Sequence, residues 1–135
     1  MPNRQEIALM AHLMRRAGFG EPRWELDART EKGYEAVVEE LLHPEEQPAI
    51  SDELMYRILP GYEGALGPPI NQADWVFRMV NTKRPLEEKM ALFWHGVFAT
   101  GLVKNEHILS SSNQIEMFRR NGMSGMREIL MDLAK

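Results

Sequence analysis

The sequence predicts an all-α, single-domain bundle of seven or eight helices around a central apolar helix at about residues 85–100, and three observations predict it. Apolar side chains recur at three- and four-residue steps in one segment after another. Strand-type alternation is sustained nowhere. Between the periodic segments stand glycines, prolines and short polar residues of the kind that start and stop helices.

The first element is expected over residues 4 to 17. Asn3 suits its N-cap, Ile7, Met10, Ala11, Met14 and Ala17 make one side, and Gly18 suits a left-handed stop. Pro22 restarts the chain into a short helix through Trp24, Leu26 and Ala28 that ends at Gly33. Tyr34, Val37, Val38, Leu41 and Leu42 then mark a third helix with Glu35, Glu39 and Glu40 outward, closed by His43-Pro44. A polar connection leads to Ser51, a fitting cap for a short helix through Leu54, Met55 and Ile58. Residues 61 to 69 hold three glycines and two prolines and read as a loop.

Asn71 is expected to cap a helix whose stripe is Trp75, Val76, Met79 and Val80. The central helix follows. Pro85 suits its first position, Glu87 and Glu88 its N-terminal dipole, and Gly101 its exit. From Leu86 through Met90, Phe93, Trp94, Val97 and Phe98, with Leu92 and Ala99 on a second face, it is apolar nearly all round, which predicts cover on several sides. His95 is the exception, expected to point away from the main stripe. Residues 102 to 112 read as irregular. Ile115 and Phe118 mark a helix stopped by Gly122, and Ser124 suits the cap of a last one striped by Met126, Ile129, Leu130 and Leu133.

Composition narrows the function classes. A chain of 135 residues supports one core. An apolar fraction of 44% without a run of roughly 18 apolar residues predicts a soluble protein with no membrane span. A net charge of -4 with mixed signs argues against nucleic acid as the partner, because that mode needs a concentrated basic face. No cysteine is present, so disulfides and thiolate chemistry are excluded. No export signal opens the chain, which places it in the cytoplasm by default. Ten methionines provide either a plastic core or an adaptable apolar surface.

Two stretches carry a wider pattern: Ala11-His12-Leu13-Met14-Arg15-Arg16-Ala17-Gly18-Phe19-Gly20, and Pro85-Leu86-Glu87-Glu88-Lys89-Met90-Ala91-Leu92-Phe93-Trp94-His95-Gly96-Val97-Phe98-Ala99-Thr100. Together they resemble the bacterial family called domain of unknown function 1800, and Gly33-Tyr34-Glu35-Ala36, Gln114-Ile115-Glu116 and Met126-Arg127-Glu128-Ile129-Leu130 fit it as well. The resemblance implies no activity, since the family has no established one. It does imply that this chain corresponds to the N-terminal part of longer proteins, many of them similar to exported ones. Relatives often carry a second histidine two residues after the position of His95; here that residue is Val97, so no two-histidine metal site is implied.

The candidate site residues are Arg15, Arg16, His95 and His107. The two arginines suit the dipole at the end of the first helix, and alternatively offer guanidinium forks to a carboxylate. His95 is either a structural donor, which must find a partner once buried, or a base. The four histidines show no helical pair spacing, so no metal and no cofactor are expected. Ser110, Ser111 and Ser112 lack a nucleophile-elbow pattern and read as caps. Trp24, Trp75 and Trp94 read as core or half-buried anchors.

Two functions are consistent with these residues. In the first, the chain is a structural or interaction module of a larger bacterial protein, with exposed Met and aromatic surface docking the rest of that protein or a second copy. In the alternative, Arg15, Arg16, His95 and His107 line part of a ligand-binding or hydrolase-like site completed by residues beyond 135.

Overall fold

Asn3 starts the first helix as its polar side chain dictates. Its Oδ1 accepts from the backbone N–H groups of Gln5 and Glu6 at 2.9 Å, and the Glu6 carboxylate returns a bond to the Asn3 N–H. The computed structural model describes residues 2–58, 68–98 and 108–135. Among them stand α1 (Arg4–Ala17), α2 (Arg23–Lys32), α3 (Tyr34–Leu42), α4 (Asp52–Ile58), α5 (Pro68–Asn81), α6 (Pro85–Val97), α7 (Ile108–Asn121) and α8 (Met126–Leu133), with a 3-10 turn at Pro44–Glu46 and no strand. The fold is all-α.

Two apolar clusters hold it together. Ile7, Met10 and Met14 of α1 pack with Leu26 of α2 and Val37 and Leu41 of α3. Ala91 of α6, Phe118 of α7 and Ile129 of α8 form the second, with Trp94, Phe98, Met117 and Leu133 around them. α6 joins the two, because Leu86 near its start lies against the first cluster and Ala91 sits inside the second. It touches α1, α3, α5 and α7, which makes it central as its composition predicts.

The helix is thus covered on several sides as expected, and part of its surface stays open. The buried residues of α6 are Pro85, Glu88 and Ala91, while Leu92, Phe93 and Val97 are 38%, 55% and 52% exposed. A helix turns about 100° per residue, so the residues at 88, 91 and 95 share one face and those at 86, 93 and 97 another. The first face packs on α5 and α7. The second, more apolar one, turns outward beyond its contact with α1.

Several local expectations also shift. Gly18 is not left-handed: its φ of -152° is extended backbone, and the positive φ near this turn belongs to Gly20 at 90°. Gly18 is small for another reason, since a Cβ there would stand 2.9 Å from Cβ of Pro85. α5 begins at Pro68, inside the stretch read as loop, because prolines are well suited to a first turn. α7 begins at Ile108, so the serine triplet lies within the helix rather than capping it; Ser111 shares a face with Ile115 and Phe118 and is buried. Ser124 does not cap α8, since its hydroxyl donates to the Asn121 carbonyl at 2.7 Å and Gly125 takes the cap position. Met126 and Leu130 of the α8 stripe are exposed, and so is Trp24 at 69%. The end of the central helix past Phe98, including Gly101, and most of the expected 61–69 loop lie outside the described residues.

Candidate functional site

The inward face of α6 carries a charge that hydrophobic periodicity hides. Glu88 is 3% exposed, and a carboxylate enclosed to that degree needs partners on every open side. Arg119 of α7 donates from Nε to its Oε1 at 2.6 Å, and Trp75 of α5 donates from Nε1 to its Oε2 at 3.2 Å. Arg119 also reaches Glu116 one turn back on α7. Three helices are therefore tied through one carboxylate. Around this knot lies a cleft of about 550 Å³, lined among others by Asn71, Arg78, Arg84, Glu87 and Asn113.

The charges in that cleft are already matched. Arg78 Nε bonds Asp74 at 2.9 Å, Arg84 Nε donates to the Gln47 carbonyl at 2.7 Å and its Nη1 lies 3.6 Å from Glu87, and Arg120 Nε lies 3.0 Å from Glu116. Burial pushes the Glu87 carboxyl above its ordinary range, opposed by the positive charge of Arg84. Each arginine here has a carboxylate, so an anionic ligand would have to displace one. The arrangement fixes the packing of α5, α6 and α7 without any ligand.

The outward face is the reverse. Beside the end of α1, a groove of about 420 Å³ is lined by Arg16, Leu86, Lys89, Met90, Leu92 and Phe93, without a carboxylate. The Lys89 ammonium lies 5.0 Å over the ring of Phe19, which holds it at the rim. Phe93 and Val97 continue the apolar surface toward the end of the helix.

The sequence-predicted residues divide between these two sides. Arg15 and Arg16 are exposed at the end of α1, and only Arg16 lines the groove. His95 is half-buried, turned about 200° from Phe93, and meets Trp75 edge to face with ring centroids 5.2 Å apart. Its Nδ1 is buried and has no hydrogen-bond partner among the described residues. His107 lies outside the described residues. Among the described residues no group of three His, Cys, Asp or Glu is placed to hold a metal ion, and no helix is long and apolar enough to cross a membrane.

Sequence reasoning missed Glu88, which it assigned to the helix dipole. The signal that finds it is helical arithmetic: Glu88, Ala91 and His95 share a face, and a small residue between two polar ones marks close packing. Beyond geometry, the family model described as "Protein of unknown function (DUF1800)" matches residues 12–135. No curated protein and no solved structure matches the chain.

Proposed function

The chain belongs to the DUF1800 family, and on that footing we propose that it acts as a helical interaction module that docks the outward face of α6 against another polypeptide. The observation that carries this reading is the exposure of Phe93 and Val97 on the very helix that joins the two cores. Fully burying an aliphatic or aromatic side chain is worth about 1.5–3 kcal/mol, so Phe93 and Val97, each about half exposed, together forgo about that much unless a partner covers them. The polar cleft on the other side supports no comparable reading, since its arginines already hold carboxylates. Arg16 takes part in the docking groove, whereas His95 faces α5 and is not among the residues that line the groove.

A photocrosslinking side chain placed at position 97 tests the proposal in the native cell, with the exposed position 31 of α2 as control. Adduct formation from 97 and not from 31, abolished by Phe93→Ser, is the expected result. Equal labelling from both positions, or none from 97, overturns it.

A further inference from the structure

We infer that the groove between α1 and α6 seats an amphipathic helix whose apolar seam is flanked by carboxylates, an inference that rests on the interaction-module reading above. Leu86 and Met90, half-buried with Leu86 also against the first cluster, and Phe93 and Val97, exposed, are spaced four, three and four residues apart, which is the a/d repeat of a helix that meets another helix side by side. At about 1.5 Å per residue the seam runs roughly 16 Å, three turns of a partner.

The charge at the rim selects among helices. Arg16 and Lys89 are the charged residues lining the groove, and neither forms an ion pair among the described residues. On the opposite side of α6, Arg78, Arg84 and Arg119 are each held by a carboxylate. Two cations without a carboxylate partner among the described residues, beside an apolar groove, are complementary to Glu or Asp at the positions that flank a partner's seam.

Two synthetic three-heptad peptides serve as probes, both with leucine at a and d, one with glutamate and the other with lysine at e and g. Fluorescence anisotropy on the whole chain is expected to show the glutamate peptide binding about tenfold tighter, a preference that inverts in Arg16→Glu/Lys89→Glu and is lost with both peptides in Phe93→Ser/Val97→Ser. Circular dichroism confirms that each variant remains folded. Equal binding of the two peptides overturns the acidic partner while leaving the docking face in place. Binding of neither, in a folded monomer, overturns both; a sedimenting dimer that excludes the peptides replaces the acidic helix with a second copy.

Discussion

Arg119 reaches from α7 to Glu88 on α6 with Nε and Oε1 2.6 Å apart, and this contact spans 31 positions of sequence to close the most enclosed carboxylate of the helix. Because Trp75 donates to the other oxygen, the same group also positions α5. The side of α6 that meets α5 and α7 is thus organised by a polar knot, and Phe93 and Val97 are left for the surface. That inversion underlies both the proposed docking function and the first prediction.

Removing one partner of this pair leaves a buried charge uncompensated. Glu88→Ala and Arg119→Ala are each expected to cost about 3–5 kcal/mol in urea denaturation. The double variant should lose less than the two together, by about 0.5–3 kcal/mol, since the second change deletes the charge the first one stranded. Additive losses in the double-mutant cycle would mean that the pair contributes nothing as a pair.

Much of the helix pattern was legible because it is local. Asn3, Pro85 and Gly33 act within a turn of where they stand, and the edges of α1, α2 and α3 follow from them. Which face of α6 turns inward was not legible, because Phe93 and Val97 satisfy helical periodicity whether a partner from this chain or another covers them. In the sequence Glu88 fits a dipole partner, because the arginine that claims it is 31 positions away. The same limit applied to Gly122, read as a stop for α7. It is also a packing position: Trp94 Nε1 donates to its carbonyl at 2.7 Å, and Met90 Cβ would lie 3.4 Å from a side chain placed there.

Glycine substitutions separate these roles. At Gly122 an added Cβ meets the Phe118 carbonyl and stands 3.2 Å from Trp94. At Gly18 it stands 2.9 Å from Pro85 Cβ. Alanine at either site is expected to destabilise by about 1–3 kcal/mol, with Gly122 the worse because a backbone atom is slow to yield. Gly96 has nothing within 4 Å and lies inside α6, so Gly96→Ala should stabilise by about 0.5–1 kcal/mol. Thermal unfolding of the three variants checks the order.

His95 gives a sharper test of what its ring is for. Phenylalanine keeps the edge-to-face packing on Trp75 and removes the buried Nδ1, which has no partner among the described residues. His95→Phe is therefore expected to leave stability unchanged or raise it by about 1–3 kcal/mol, the desolvation cost of an unmet polar group. A loss of that size in chemical denaturation would instead mean that the imidazole is satisfied in solution and holds the α5–α6 contact through a hydrogen bond.

The carboxyl of Glu87 supplies the pH dependence. Burial raises its pKa in the folded chain above the unfolded reference of 4.5, although Arg84 pulls the other way. The folded state consequently holds this proton more tightly than the unfolded one, and ionisation works against folding once pH rises through the folded value. Below pH 4.5 the group is protonated in both states and its contribution is fully present. Glu87→Gln keeps the shape and cannot ionise, so it should stabilise the chain at pH 7 and lose that advantage as pH falls toward 4. Urea denaturation of native and variant chains across this window checks the sign, and a variant less stable at neutral pH would show that the Arg84 contact outweighs burial.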